Sequence, residues 1–466
     1  MGAAEFASIN NIMKTYSSVT LLLVALLLSS CYGGCSSGPH YPGMEDSVLD
    51  IRHRDGDRIR ILSISDSHVP EESEDEEKLL PIRRKGRVLS GLDLLEIDDF
   101  RMLRNRKFAL LTNATGLNRN LIPGLELLMG AGLRPSLILE PEHGLYSHED
   151  RYLPGGFRQE RRYGIRLLSL YSSQKKPTAA QLRGLDAIVV DIQNLPVRCY
   201  TYISTLTYLM EAAETSGIEL IILDRPHPYG FWKASGPYLR SGFESFVSLA
   251  PVPYLYSMTM GEYALYMARS RFRKLELSIV KAKNYSREDS DIALQRAWIN
   301  PSPNIPDLET ALVYAGVVFF EGTNVSLGRG TTRPFVYSGA PWMDSDAVLS
   351  ELRRLNLPGV RFARAVFTPT ASMYNGITCQ GIQIIPVSYE FDPIRTGFEY
   401  MKILHRIHPE FRFVVRGTGH YWTDYLWGDS TYREAVEQQV DFQRFHRTYV
   451  QDGIHFETLT EDIRLY

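Results

Sequence analysis

The chain reads as an α/β protein built on a mostly parallel sheet, and three observations predict it. Short apolar runs without a polar face recur: Phe108 to Leu111, Ser136 to Leu139, Ala187 to Val190 and Leu220 to Leu223. Such runs are what strands covered on both faces look like. Helical stretches lie between them. Leu121 to Met129 is one; Ile203, Leu206, Leu209, Met210 and Ala213 mark another by their spacing, and Gly217 stops it. Alternation of the two kinds argues for helices packed on both sides of a parallel sheet. The third observation is how the runs end. Asn113 follows the first; Glu140, Glu142 and His143 the second; Asp191 and Gln193 the third; Asp224 and Arg225 the fourth. Parallel strands bring those ends to one edge, where ligands of open α/β sheets bind. Leu167 to Tyr171 is a further expected strand.

The bulk numbers narrow the class. With 466 residues, 44% of them hydrophobic, the chain is long enough for more than one domain. A net charge of −3 and the absence of a basic stripe exclude a nucleic-acid partner. At the N-terminus, Lys14 precedes an apolar segment, Val19 to Leu28, too short to span a membrane and shaped like a signal-peptide core. It runs into Leu28-Ser29-Ser30-Cys31, which resembles a bacterial lipobox, so residues 1–31 are expected to form a signal segment with Cys31 lipidated. That places the protein outside the cytoplasm, anchored to a bacterial membrane by lipid. Residues 32–86, with the acidic run Glu71 to Glu77, are expected to be a flexible tether, interrupted by a possible strand at Ile59 to Ile64. Cys199 and Cys379 are too far apart for a zinc pattern and read as small buried hydrophobes.

A first domain is expected over 87–258 and a second over 259–466. The second opens with a helix from Met260 to Ala268. Asn300 to Pro306 then carries three prolines, which remove donors and exclude regular structure. "FEGTNVSLGRGTTRPF", Phe320 to Phe335, follows, with Glu321, Asn324, Arg329 and Arg333 among glycines that let backbone approach a ligand. The tail mixes a strand, Gly381 to Pro386, with helices at Thr396 to Ile407 and Tyr432 to Glu437, an α+β pattern.

"EPEHG", "DIQNLPVRCYTYISTL", "LDRPHP", "NPSPNIPDLETALVYAG", "FEGTNVSLGRGTTRPF" and "GAPW" occur in this order. Together they resemble the exo-β-N-acetylmuramidase family, from about Val88 to near the C-terminus. The resemblance implies a Rossmann-like N-terminal domain, a smaller C-terminal α+β domain and an active-site cleft between them. It implies an extracytoplasmic hydrolase that removes terminal N-acetylmuramic acid from the non-reducing end of peptidoglycan fragments. It also places the catalytic glutamate of the Pro-Glu-His-Gly motif at Glu142. Asn194 stands where the family usually carries Asp, and the segment after Gly144 departs from the family pattern.

Glycoside cleavage needs a proton for the leaving oxygen and stabilisation of charge at the anomeric carbon. Glu142 is the expected acid, with Glu140, Asp191 or Asp224 as neighbours that would favour its protonated form. Asp191 or Asp224 would serve as a second carboxylate; alternatively the substrate's 2-acetamido oxygen attacks. His143 would orient the acid, bond a sugar hydroxyl or hold the turn. Arginine suits the lactyl carboxylate of muramic acid, and Arg198, Arg225, Arg329 and Arg333 are the candidates, Arg198 and Arg329 first. Asn113, Glu140, Gln193, Tyr200, Tyr202, Glu321 and Asn324 complete the expected substrate contacts. No metal ligand pattern and no Gly-x-Gly-x-x-Gly fingerprint is present, so neither metal nor cofactor is expected. The alternative is a non-catalytic lipoprotein that binds peptidoglycan fragments.

Overall fold

The computed structural model describes residues 50–65, 87–150, 155–287, 297–416 and 419–466. The expected signal segment, Cys31 and most of the expected tether lie outside the described residues. The central sheet takes β1 (Asp50–Arg54), β2 (Ile59–Ser63), β3 (Phe108–Thr112), β4 (Leu137–Glu140), β5 (Phe157–Gln159), β6 (Arg166–Ser169), β7 (Ala187–Asp191) and β8 (Glu219–Leu223). A small antiparallel pair, β9 (Ser235–Tyr238) and β10 (Pro253–Leu255), precedes its last strand, β11 (Leu277–Val280). The spatial order is β1-β2-β11-β8-β7-β3-β4-β6-β5. From β2 to β6 every neighbouring pair is parallel; β1 and β5 are antiparallel edges.

β3, β4, β7 and β8 are buried at every residue, which explains their unbroken apolar sequence. Helices α1 (Gly91–Ile97), α2 (Gly124–Gly130), α3 (Ala179–Leu182), α4 (Tyr202–Ser216) and α5 (Met260–Ser270) connect the strands. Their starts follow local chemistry. Ser90 with Asp93, and Thr259 with Glu262, form capping boxes that satisfy the first N–H groups of α1 and α5. Gly217, at φ 62°, ends α4. The chain steps from β3 to β4 to β6 on one side, then returns beside β3 and continues through β7, β8 and β11 on the other. The direction reverses between β3 and β7, where Thr112 pairs with Asp191.

Part of the expected tether is sheet. Ile59, Ile61 and Leu62 are buried, and Ile59 pairs with Leu277 of β11. The acidic run Glu71 to Glu77, which suggested a solvated linker, lies outside the described residues. β11 likewise joins the central sheet although it follows residue 258.

A second sheet, β12 (Tyr337–Ala340), β13 (Val360–Phe367) and β14 (Cys379–Pro386), is antiparallel in the order β12-β14-β13. It packs with α6 (Leu308–Val317), α7 (Ser345–Arg354) and α8 (Pro393–Ile407). α6 and α8 cross at Gly316 and Gly397, where a Cβ on either would strike the other helix's backbone. The described residues form one compact unit with a continuous apolar core. Tyr254 of β10 stacks on Phe319 and Trp427 from the later part of the chain, with ring centroids 4.7 and 5.4 Å away.

Candidate active site

Glu142 stands on a tight turn after β4. Gly144 N–H donates to the Pro141 carbonyl at 3.1 Å, and Leu145 N–H to Glu140 Oε2 at 3.1 Å. His143 adopts φ +70° and Gly144 φ +76°, so the turn needs a left-handed pair that glycine adopts freely and histidine at some cost, though more readily than most side chains. His143 offsets that cost: its Nδ1 lies 2.7 Å from the Glu149 carbonyl. A carbonyl only accepts, so Nδ1 carries the proton, and Nε2 is an acceptor in the neutral ring.

The Glu142 carboxylate has two differently treated oxygens. Thr201 Oγ1 donates to Oε2. Oε1 makes no hydrogen bond to any described residue. Thr201 is the N-cap residue of α4, yet its side chain caps nothing, because its hydroxyl is spent on Glu142. The positive end of a four-turn helix therefore lies against the carboxylate.

Glu142 lines a pocket of about 110 Å³ with His143, Tyr200, Thr201, Tyr314, Glu321 and Arg329, among others. Tyr200 and Tyr314 meet edge to face at 5.9 Å, and Tyr314 meets Phe335 likewise at 4.9 Å. Arg329 lies over Phe335, 4.9 Å from its ring centre. It donates to Glu321 at 2.7 Å and reaches Asp150 at 3.7 Å. Asn304 Nδ2 is 3.3 Å from Asp150 as well. The loop after His143 is thus tied to the Gly-Arg-Gly segment. Lys175 presses on the rings of Tyr171 and Phe246, at 3.9 and 4.4 Å. Burial pushes its pKa down, and the charge of Glu142 acts in the opposite direction.

Of the expected residues, the pocket gathers Glu142, His143, Tyr200, Glu321 and Arg329. The rest stand elsewhere. Asp224 is fully buried and accepts from Thr259 Oγ1 at 2.7 Å, Gly261 N–H at 2.8 Å and Tyr466 OH at 2.9 Å. Burial raises its pKa to about 6. Asp191, 1% exposed, accepts from Arg225 Nε at 2.8 Å. Both expected catalytic aspartates are therefore anchors of the strand ends, with their oxygens turned to protein partners. Glu140 is ion-paired with Arg158.

Arg198, expected to grip a carboxylate, is 0% exposed. It donates to Ser248 Oγ at 2.9 Å, to the carbonyls of Pro237 and Val252 at 2.6 and 2.8 Å, and to that of Trp427. Burial lowers its pKa to about 10. It staples the β9–β10 region to the C-terminal helices and leaves nothing for a ligand. Arg333 pairs with Glu309 at 2.7 Å. Asn324 bonds Glu410 and Arg412 backbone at 2.8 Å each. Asn113 donates to Tyr202 OH at 2.9 Å, and that hydroxyl also bonds the Pro301 carbonyl. Gln193 donates from Nε2 to the Pro226 carbonyl at 3.1 Å. Asn194, the departure from the family pattern, is buried and donates to Tyr256 OH, away from the pocket.

Sequence reasoning missed Thr201, Asp150, Lys175 and Tyr314. Thr201 had a signal: a hydroxyl residue at the expected start of a helix following an acid-bearing strand end. Among the described residues, no group of three or more His, Cys, Asp or Glu side chains is arranged to hold a metal ion.

A half-buried carboxylate at the edge of a parallel sheet, fronting an aromatic-walled pocket with an arginine opposite, is the layout of a saccharide-processing protein. The chain belongs to the exo-β-N-acetylmuramidase family: the family's N-terminal model matches residues 108–309 and its C-terminal model residues 312–466. It is 35% identical over 369 residues to the peptidoglycan β-N-acetylmuramidase NamZ of Bacillus subtilis (strain 168), covering 78% of this chain and 88% of that protein. Two crystal structures of DUF1343 family proteins from Bacteroides fragilis NCTC 9343 are similar. The first has a TM-score of 0.74 at 30% identity, and the second 0.65 at 26%. Each alignment covers 82% of this chain and 99% of the other.

Proposed function

We propose that this protein is an exo-acting glycoside hydrolase that releases N-acetylmuramic acid from the non-reducing end of peptidoglycan fragments, with Glu142 as general acid and base. Glu142 itself carries the reading. One oxygen is held by Thr201, the other is unbonded among the described residues, and the carboxyl lines the pocket. A proton donor needs that combination of fixed orientation and an open oxygen. The Bacillus subtilis relative's activity on peptidoglycan supports the substrate class. The strand order, reversing at β3 and β7, is read as Rossmann-like, and the pocket as a cleft between that sheet and the second region.

The pocket's other carboxylates favour a substrate-assisted course. Glu321 and Asp150 both face Arg329, and Asp191 and Asp224 are committed elsewhere. The 2-acetamido oxygen of the bound sugar then attacks the anomeric carbon while Glu142 protonates the leaving oxygen. Water opens the resulting oxazolinium ring, with Glu142 taking its proton. Arg329, alone of the four candidate arginines, lines the pocket and would exchange Glu321 for the lactyl carboxylate.

The test is a muramic-acid disaccharide incubated with wild type and Glu142→Gln, with products identified by mass spectrometry. Free N-acetylmuramic acid is expected from wild type, and none from a variant of unchanged circular dichroism. A fully active Glu142→Gln protein would falsify the assignment. Export and anchoring through a lipidated Cys31 are proposed with it; Cys31→Ala should move the protein from the membrane fraction to the soluble one, and an unchanged membrane fraction would remove the anchor.

A further inference from the structure

A second cavity, of about 390 Å³, opens at the same edge of the sheet. That volume is within the roughly 300–1,000 Å³ of small-molecule sites. Thr115 after β3, Gln193 after β7 and Arg225 after β8 line it, and it shares no lining residue with the Glu142 pocket. Three guanidinium groups, those of Arg87, Arg119 and Arg225, border it, and no carboxylate does among the described residues. Arg225 is 95% buried, from its 5% exposure, and spends Nε and Nη2 on Asp191 and the Leu117 carbonyl. Its Nη1 has no partner among the described residues. The Arg119 guanidinium likewise makes no hydrogen bond or ion pair to any described residue; its backbone alone is bonded, to Asp93 and Arg87. An unpaired guanidinium, that of Arg119, and the open Nη1 of the ion-paired Arg225, both at the wall of a cavity, favour an anion within it.

The position of the cavity limits what that anion belongs to. The proline-rich segment forms a wall between the two sites: Trp298 and Ile299 line the second cavity, Ser302 and Asn304 the first. From Glu142, the path runs through its carbonyl to Tyr202 OH at 3.4 Å, to Asn113 at 2.9 Å, and to Thr115 Oγ1 at 2.6 Å, on the second cavity's wall. Three hydrogen bonds thus link the backbone of the candidate acid to the wall of this cavity, and both sites open at the same strand ends. Trp298 supplies an apolar ring, and the Asn120 amide and the Gln193 side-chain carbonyl supply polar groups suited to hydroxyls.

We infer that the second cavity is a distal subsite for a carboxylate-bearing unit of the glycan, held through Arg119 and Arg225; the inference rests on the saccharide reading above. The carboxylate comes from a lactyl group or from an attached stem peptide, and the experiment separates the two. Calorimetry on full-length Glu142→Gln protein, with and without Arg119→Ala, measures affinity for three tetrasaccharides: muramyl and peptide-free, muramyl and peptide-bearing, and one of N-acetylglucosamine alone. Turnover of a chromogenic single-ring muramide by wild type and by Arg119→Ala is measured alongside. Arg119→Ala should weaken muramyl tetrasaccharides on the order of tenfold, the effect of losing one charge-assisted hydrogen bond. Arg119→Lys should restore part of it. The glucosamine ligand should be unaffected, and single-ring turnover should stay within about twofold of wild type, because one ring does not reach the subsite. A loss confined to the peptide-bearing ligand assigns the carboxylate to the peptide; a loss in both muramyl ligands assigns it to the lactyl group. Unchanged affinity for both, or an equal loss on the glucosamine ligand, overturns the inference. If wild type turns over no muramide, the catalytic reading fails, while the calorimetry still decides the subsite.

Discussion

Asp224→Asn separates the structural from the chemical reading of a residue that the sequence placed in the catalytic set. Asp224 is fully buried, and burial raises its pKa from 3.8 to about 6. A carboxyl with a raised folded pKa binds its proton more tightly in the folded state. Its contribution to stability is fully present below about pH 3.8 and is lost as pH rises through about 6. With these two pKa values, wild type loses about 2 kcal/mol between pH 4.5 and 7.5 through this group alone. Asparagine has no such term. The stability difference between variant and wild type should therefore move by about 2 kcal/mol in the variant's favour over that range. Asp98 and Asp424, also raised to about 6 by burial, act with the same sign in both proteins and cancel in the difference. Urea unfolding at four pH values measures it. Turnover is the second readout: with Asp224 bonded to Thr259, Gly261 and Tyr466, the variant should stay within a few-fold of wild type. A pH-independent difference would refute the burial argument. A folded variant slowed by more than about 100-fold would return Asp224 to the chemistry.

Thr201→Val removes the donor to Glu142 Oε2 while keeping side-chain shape. A hydrogen bond to a charged group is worth about 1.5–3 kcal/mol, so kcat should fall roughly 10- to 100-fold, with Thr201→Ser recovering most of it; an unchanged kcat would show that Thr201 does not position the acid. Arg198→Met leaves the carbonyls of Pro237, Val252 and Trp427 without their donor. Stability should drop by about 3–5 kcal/mol, while any folded protein keeps its preference for muramyl over glucosaminyl substrates. Loss of that preference at unchanged melting temperature would place Arg198 in the substrate site instead.

The parallel α/β architecture was legible because burial on both faces writes itself locally. Leu137–Glu140 and Ala187–Asp191 are unbroken apolar runs, and the helix between β7 and β8 shows its period and its Gly217 stop. Strand ends were legible for the same reason, and with them the position of Glu142; Arg329 stood out instead by its place in a glycine-rich segment. β2 was legible as a possible strand at Ile59 to Ile64; β1 was not, because an edge strand carries charge on its open side and looks like linker.

The sequence by itself determined that acids and arginines would meet at one edge of a parallel sheet, since strand direction and period are encoded over a few residues. Tertiary structure alone decided which of those groups stay open. Glu140 is met by Arg158, Asp191 by Arg225, Asp224 by Tyr466 and Arg198 by the Trp427 carbonyl. The last two partners lie more than two hundred residues away. An ionisable side chain is neutralised by whatever folding brings to within about 3 Å of it, and local spacing carries no record of partners that distant.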